Sequence, residues 1–250
     1  MLQRYFIQLS YLGKNYNGWQ IQPNAITVQE LINKAISTIS KEEINTVGAG
    51  RTDTGVHARY FVAHFDSKKS NLHHNDKITY NLNCILPDDI AIKRIFKVNN
   101  NNHARFDAIS RTYQYFISNI KDPFNKDFNY LLYAKLDVNL MNKASKILYE
   151  YEDFTSFSKL NTNAKTNNCK IFEAFWDENE EGLSFTIKAN RFLRNMVRSI
   201  VGTMIEIGLH KITLDDFRKI IEHKDRSYAG TSAPAKGLFL TGIEYPYKLE

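Results

Sequence analysis

The chain has few cysteines and no long apolar run, and both shortages narrow the classes of protein to which it can belong. Its two cysteines, Cys84 and Cys169, lie far apart and lack CxxC spacing, which argues against a disulfide framework or a zinc site and favours a reducing compartment. No window reaches the ~18 consecutive apolar residues that a membrane-spanning helix needs. The first residues also lack the apolar stretch of a signal peptide, so we expect a cytoplasmic protein.

Charge and composition describe a globular protein with a basic balance. The 250 residues include 33 Lys and Arg against 27 Asp and Glu, a net charge of +6, and 43% are hydrophobic. That hydrophobic content is ordinary for a protein with a buried core. The positive charge fits a polyanionic partner, because neutralising phosphates releases counterions and supplies affinity. A merely solubilising excess of lysine fits the composition about as well.

Strand-like and helix-like patterns alternate along the whole chain. Runs rich in β-branched and aromatic residues predict strands at 3–11, 44–48, 60–65, 90–98, 111–118, 171–176, 183–189 and 238–245. Apolar residues at helical spacing predict helices at 28–40, 77–84, 138–151, 193–209 and 214–223. Thr27 and Glu30 have the spacing of a capping box at the first helix. We therefore predict an α+β fold of two similar halves, residues 1–102 and 103–250, that form a mostly antiparallel central sheet flanked by helices.

A glycine-bearing loop at residues 48–55, Gly-Ala-Gly-Arg-Thr-Asp-Thr-Gly, is the most distinctive short segment. A dinucleotide fingerprint requires GxGxxG at the start of a helix. Here the third glycine falls at Gly55, two positions late, and a strand is predicted to follow. A P-loop requires Gly-Lys-Ser/Thr, which the segment lacks. Both phosphate-binding interpretations therefore fail.

The loop instead offers a carboxylate, Asp53, with Arg51 two residues before it and His57 four residues after it. Glycines allow the backbone to approach a ligand closely. A neighbouring cation favours the ionised carboxylate, the form that a nucleophile requires. An aspartate beside a glycine is also a common turn cap. The loop alone leaves both interpretations open.

The string Gly50-Arg51-Thr52-Asp53-Thr54-Gly55-Val56-His57-Ala58 resembles the catalytic motif of the TruA-type tRNA pseudouridine synthases. Further segments resemble that family in the same order along the chain: Tyr11, Gly18-Trp19-Gln20, Gln22, Thr27-Val28-Gln29, His103-Ala104-Arg105-Phe106, Arg111-Thr112-Tyr113-Gln114-Tyr115, Asp153-Phe154-Thr155-Ser156-Phe157, Phe192-Leu193-Arg194-Asn195-Met196-Val197-Arg198, Val201-Gly202, Ala233-Pro234-Ala235 and Gly237-Leu238. Thr54 replaces the alanine that usually follows the catalytic aspartate. Gly230-Thr231-Ser232 replaces a glycine-proline-threonine run. Both replacements keep the positions small.

The resemblance implies a reaction and a partner. Such an enzyme isomerises uridine to pseudouridine in the anticodon stem-loop of tRNAs, at positions 38–40, in a cleft between the two halves, and works as a homodimer. The reaction oxidises nothing and imports no group, so we expect no cofactor and no metal. Two alternatives remain: a synthase of the same fold acting on another RNA, and a non-catalytic tRNA-binding protein, for which an eroded nucleophile loop would be expected.

The resemblance also assigns roles in the loop and on the central strand. Asp53 attacks the bound nucleotide at ribose C1′ or at uracil C6, and the sequence leaves that choice open. Arg51 takes the place of the uracil, which must be flipped out of its stack to react; a phosphate contact or an ion pair with Asp53 is the alternative. Tyr113 packs on the uracil, and its hydroxyl is a candidate for proton transfer at C5. Read without the family, Tyr113 and Tyr115 share one face of a strand and fit a core.

Three arginines and a leucine complete the candidate site. Arg198 matches the family arginine that pairs with the catalytic aspartate, for which a guanidinium fork is suited. Arg191 and Arg194 are candidate RNA contacts, and they form one basic stripe with Arg198 if the helix already includes Arg191. A solvated helix face is the alternative for these two. Leu238 resembles the apolar wall of the family's pocket, or is ordinary strand core. His57 lies near the site, and we do not predict it to be catalytic.

Overall fold

A computed structural model describes residues 2–74, 76–159 and 166–249 of the chain. Packing divides the chain into two units. The first unit consists of two segments, one that ends at Ile109 and one that begins at Leu240, and the second unit is Ser110–Phe239. The predicted division into catalytic halves at residues 1–102 and 103–250 stays a prediction. No helix in the described ranges is long and apolar enough to cross a membrane.

The first unit is an antiparallel sheet with two helices. The strands are β1 (Gln3–Tyr11), β2 (Val47–Gly48), β3 (His57–Ser67) and β4 (Ile90–Lys97), and the helices are α1 (Val28–Ser40) and α2 (Asp76–Ile85). β1 is central, since it pairs with β3 on one side and β4 on the other, and β2 pairs with β3. Five residues of β1 are fully or almost fully buried, as expected for an aromatic-rich strand between two neighbours.

The second unit also combines strands with helices. Its strands are β5 (Ser110–Ser118), β6 (Tyr130–Leu131), β7 (Ile171–Asn179) and β8 (Gly182–Ala189), and its helices are α3 (Val138–Ile147), α4 (Met196–Gly208) and α5 (Leu214–His223). β8 pairs antiparallel with β5 and β7, whereas β6 pairs parallel with β5. The last strand, β9 (Leu238–Glu244), has its first two residues in this unit and the others in the first. The predicted α+β class with a mostly antiparallel sheet is confirmed.

Asparagine side chains cover the outer backbone groups of β4 and β7. Asn83 of α2 donates to the carbonyl oxygen of Ile92 at 3.0 Å and accepts from its N–H at 2.7 Å. Asn142 of α3 makes the same pair of bonds with Trp176, at 3.0 and 2.8 Å. An exposed strand edge is a template for pairing with another chain. In each unit, a helix therefore blocks that pairing with a side-chain amide that imitates a neighbouring strand.

Several predicted boundaries require correction. α1 spans the predicted residues, but its N-cap Thr27 makes no side-chain capping bond. The Thr27 hydroxyl is buried and makes no hydrogen bond with the described residues, so the predicted capping box is wrong. Of the strand predicted at residues 44–48 only Val47–Gly48 pairs. The helix predicted over 138–151 is α-helical to Ile147 and continues as a 3₁₀ turn, Leu148–Glu150.

Candidate active site

The loop that carries Asp53 connects β2 to β3 and is held by backbone hydrogen bonds. The N–H of Val56 donates to the carbonyl oxygen of Asp53 at 3.1 Å, which closes a tight turn around the aspartate. The N–H of Trp19 donates to the carbonyl oxygen of Thr52 at 3.4 Å. The N–H of Gly55 donates to the carbonyl oxygen of Tyr16 at 3.3 Å. The segment before α1 therefore fixes the loop on both sides of Asp53.

Two glycines make this close approach possible. Gly18 has φ +80°, and a Cβ there would lie 2.3 Å from the carbonyl oxygen of Thr52. A Cβ on Gly13 would lie 2.0 Å from the carbonyl oxygen of Val56. Real Cβ atoms do not come so close to backbone oxygen, so any larger residue would displace the loop. Sequence reasoning noted Gly18 as part of a motif and missed Gly13.

Packed aromatic side chains support the loop. The rings of Trp19 and Phe61 stack with centroids 4.2 Å apart, and Tyr11 packs against Phe61 at 5.6 Å. The Tyr11 hydroxyl forms a 2.8 Å hydrogen bond with the hydroxyl of Thr52, directly before Asp53. Since these groups are almost completely buried, the loop rests on packed core. The N-terminal family segment therefore supports the loop, and we infer that it contributes little direct chemistry.

The buried residue His57 also supports the loop. Its ring is completely buried, and its Nδ1 accepts a 3.0 Å hydrogen bond from the N–H of Gly13. Because Nδ1 accepts this hydrogen bond, it carries a lone pair and no proton. Asp53 is half-buried, and Arg51 is exposed. The two candidate side chains of the loop are therefore accessible, whereas His57 is enclosed in the protein.

On β5 the two paired tyrosines have different surroundings. Tyr115 is completely buried, and its hydroxyl donates to the carbonyl oxygen of Pro234 at 2.8 Å. Burial raises the pKa of Tyr115 far above its usual range, and the charge of Arg198 opposes that rise only in part. Tyr113 is half-buried and meets the ring of Phe192 edge-on, at 5.1 Å between centroids. Of the pair, only Tyr113 can therefore face a ligand.

Arg198 lies in the first turn of α4 and is tied to the segment that precedes β9. Its Nε donates to the carbonyl oxygen of Ala233 at 2.7 Å, and the N–H of Ala233 donates to the carbonyl oxygen of Arg198 at 2.9 Å. The side-chain bond engages Nε, the inner nitrogen of the guanidinium, and neither of the two Nη groups at its outer end. Gly202, one turn later, lets the segment lie directly on the helix, because a Cβ there would be 1.8 Å from the carbonyl oxygen of Thr231.

Arg191, Arg194 and Arg198 form one basic stripe only if the helix already includes Arg191, and the structure does not meet that condition. α4 begins at Met196, and Asn195 before it has the left-handed φ of 66°, a conformation that asparagine tolerates. Helical geometry therefore cannot extend back to Arg194 or Arg191. Arg194 is exposed and Arg191 half-buried, so both are accessible, but from a loop.

The remaining candidate, Leu238, is the first residue of β9 and is 5% exposed. Arg51 and Asp53 belong to the first unit, and Tyr113, Arg198 and Leu238 belong to the second. Within the described ranges, no group of three or more His, Cys, Asp or Glu residues is arranged to hold a metal ion.

Comparisons with known proteins identify the family. The family model described as tRNA pseudouridine synthase matches residues 8–107 and 150–246. A tRNA pseudouridine synthase A of Bacteroides fragilis is 52% identical over 249 residues, which cover 99% of this chain and 98% of the relative. The proteins of that name from Thermoanaerobacter sp. and Bacillus subtilis are 41% and 40% identical, and the matches cover 98% and 95% of this chain and 100% and 97% of the relatives.

The chain belongs to the tRNA pseudouridine synthase family. It is thus an enzyme, an isomerase that forms pseudouridine. The family match takes in the Asp53 loop as well as Arg198 and Leu238, whereas Tyr113 lies between the two matched segments. The alternative of a non-catalytic RNA-binding protein is thereby set aside.

Proposed function

We propose that this enzyme converts uridine to pseudouridine in the anticodon stem-loop of tRNAs, with Asp53 as nucleophile after the target base has been flipped out. The observation that carries the proposal is the construction of the Asp53 loop. Two glycine contacts, two backbone bonds and a buried hydroxyl pair hold the loop, while Asp53 itself stays half-buried and accessible. A nucleophile benefits from such a rigid placement, because the entropy of orientation is lost before the reaction.

The chemistry needs a nucleophile and proton transfers, but no imported group. The N1–C1′ bond of uridine breaks, the uracil turns, and a C5–C1′ bond forms. C5 loses its proton and N1 acquires one, so the atoms balance. Asp53 forms a temporary covalent bond to the nucleotide: at ribose C1′ it displaces the uracil, and at uracil C6 it tethers the base while the N1–C1′ bond breaks. In either case the bond to Asp53 breaks again, which returns the free carboxylate. The Tyr113 hydroxyl is the candidate for the proton at C5.

The other candidate residues bind the substrate in this proposal. Arg51 is exposed beside Asp53 and fills the space that the flipped uracil vacates. Tyr113 presents a ring already positioned by Phe192, and the uracil packs on it. Arg198 uses its outer Nη groups on the catalytic carboxylate. Leu238 contributes an apolar wall.

The substrate and assembly belong to the same proposal. Relatives named tRNA pseudouridine synthase A support tRNA as the substrate, and the net charge of +6 suits a polyanion. We propose a cytoplasmic homodimer in which one tRNA contacts both subunits, with Arg191 and Arg194 as RNA contacts. Sedimentation of the protein with and without tRNA measures that assembly, and a monomer in both samples would refute it.

Asp53→Asn is the direct test of the nucleophile, because it keeps the shape and replaces the nucleophilic carboxylate with an uncharged amide. We expect the variant to bind tRNA and to release no tritium from tRNA labelled at uracil C5, the hydrogen that pseudouridine formation expels. Thr54→Ala is the matched control. It changes an exposed neighbour to a residue usual in the family, and we expect it to remain active. Turnover near wild type in Asp53→Asn would overturn the assignment.

A synthase acting on another RNA is the remaining alternative for the substrate, because recognition of RNA shape is not written in short motifs. Mapping pseudouridine in total RNA from cells that lack this gene separates the two. We expect losses confined to the anticodon arms of tRNAs. Intact anticodon arms alongside losses in ribosomal or messenger RNA would refute the tRNA assignment.

A further inference from the structure

The turn at residues 103–107, within the family segment His-Ala-Arg-Phe, is unusually well held by hydrogen bonds. The N–H of His103 donates to a carboxylate oxygen of Asp107 at 2.7 Å, and the N–H of Asp107 donates back to the carbonyl oxygen of His103 at 3.1 Å. The His103 Nδ1 accepts from the N–H groups of Arg105 and Phe106 at 3.1 and 3.2 Å. The N–H of Ala104 is bonded as well (to His64), so all five backbone donors of the turn are used.

Hydrogen bonds from other segments of the first unit also hold the turn. Nδ1 of His64, on β3, accepts the N–H of Ala104 at 3.1 Å. The hydroxyl of Tyr245 donates to the carbonyl oxygen of Ala104 at 2.7 Å, and that of Tyr247 to Asp107 at 2.8 Å. Because these anchors lie on separate segments of the chain, the turn has little freedom to move.

This rigid turn displays an aromatic ring and a guanidinium. Phe106 is 74% exposed, and Arg105 is exposed beside it. The ring of His103 stacks behind Phe106 with 4.2 Å between centroids and an interplanar angle of 29°. The Arg105 guanidinium carbon lies over the Phe106 ring, 5.7 Å from its centre. The stacked His103 ring therefore restricts the orientation of the exposed Phe106 ring.

We propose that Phe106 and Arg105 form a stacking platform for an unpaired base of the RNA substrate. The proposal rests on the proposed function, since it takes tRNA as the ligand. RNA-binding proteins stack splayed bases on aromatic rings and on guanidinium planes. A phosphate-binding backbone is not what this turn offers, since its N–H groups are already used. What the turn offers a ligand is an exposed aromatic ring with a guanidinium over it. An unpaired nucleotide matches both parts, because its base can stack and its phosphate is negative.

Binding measurements on the complete enzyme test the platform. We would determine the dissociation constant for an unmodified tRNA transcript with wild type, Phe106→Leu and Phe106→Trp. Leucine keeps apolar surface without a π-face, whereas tryptophan keeps stacking. We expect Phe106→Leu to bind about tenfold more weakly and Phe106→Trp to recover most of the affinity. Arg105→Gln should lower the slope of log affinity against log salt by about one, and Phe106→Leu should leave that slope unchanged.

Phe124→Leu is the matched control, because Phe124 is 88% exposed but lies in a turn whose N–H donors bond to the carboxylate of the acidic Asp122. We expect its affinity for tRNA to equal that of wild type. Equal affinity of Phe106→Leu and wild type, or an equal loss in Phe124→Leu, would overturn the platform. A change in sedimentation of Phe106→Leu without RNA would also overturn it, in favour of contact with a second copy of the chain.

Tritium release from uracil C5 separates failure of the platform from failure of the proposed function. If wild type modifies the tRNA while Phe106→Leu binds it equally well, only the platform is refuted. If wild type neither binds nor modifies tRNA, both are refuted. At a tRNA concentration below the dissociation constant, we expect Phe106→Leu to release tritium about tenfold more slowly than wild type, in proportion to its weaker binding.

Discussion

The pH dependence of the first unit follows from His64, whose Nδ1 holds the turn at residues 103–107. The pKa of His64 is lowered to about 4, mainly by burial and then by the positive charge of Arg4 and the neighbouring His103. The carboxylates of Asp66 and Asp107 raise it in part. Protonation at Nδ1 would place a donor against the N–H of Ala104, so the folded unit resists it.

The sign and size of the effect follow from linkage. An unfolded histidine has a pKa near 6.5, so between about pH 6.5 and pH 4 the unfolded chain binds the proton that folded His64 refuses. Its stabilising contribution is complete above pH 6.5 and is lost as the pH falls towards 4. With the folded pKa of about 4, lowering the pH from 7.5 to 5 removes about 2 kcal/mol of unfolding free energy.

His64→Asn is the informative variant, because an amide oxygen can accept the Ala104 N–H and does not titrate. Trp19 and Trp176 are the two tryptophans and lie in different units, so Trp176→Phe in both proteins leaves Trp19 to report on the first unit. We expect the urea midpoint of the histidine protein to fall by roughly 1 M more than that of His64→Asn between pH 7.5 and pH 5. Parallel midpoints in the two proteins would refute the reasoning.

Three further substitutions test the second unit. Arg198→Lys keeps the charge but cannot both donate to Ala233 and present a fork, so we expect turnover to fall by at least about tenfold with the fold unchanged by circular dichroism; near-normal turnover would count against the pairing with the catalytic carboxylate. Tyr113→Phe keeps the ring, so we expect unchanged tRNA affinity and roughly 100-fold slower tritium release; full activity would exclude the hydroxyl from proton transfer. Gly202→Ala places a methyl group 1.8 Å from the carbonyl oxygen of Thr231, so we expect urea titration to show a loss of about 1–3 kcal/mol of unfolding free energy, and an unchanged midpoint would contradict that contact.

Some elements could be predicted from local pattern because their stability is largely local. α1 and α5 occupy the predicted residues, 28–40 and 214–223, since each has a continuous apolar stripe. Capping could not be read in the same way. Thr27 has the spacing of a capping box but lies buried without forming it, whereas Thr213, which was not singled out, forms the box with Asp216. The difference depends on what surrounds the hydroxyl, and that is a tertiary property.

The start of α4 shows the same limit near the candidate site. Apolar spacing continues back to Leu193, but Asn195 has left-handed backbone angles, so the helix begins only at Met196. The Asn195 side chain donates a hydrogen bond to Ser232 at 2.6 Å. A hydrogen bond between residues 37 positions apart in sequence therefore helps to hold Asn195, and with it the start of the helix. No pattern local to residues 191–198 contains that information.

The sequence by itself determined the α+β class, the family and the set of candidate residues around Asp53, because a long ordered set of motifs is specific even when each motif is short. Only the tertiary structure decided that Gly13 and Gly18 clamp the loop and that Tyr113 is accessible while Tyr115 is buried. It also decided that Phe106 stands exposed on a rigid turn. Accessibility and close approach arise where distant segments pack together, so they depend on non-local contacts that residue spacing does not record.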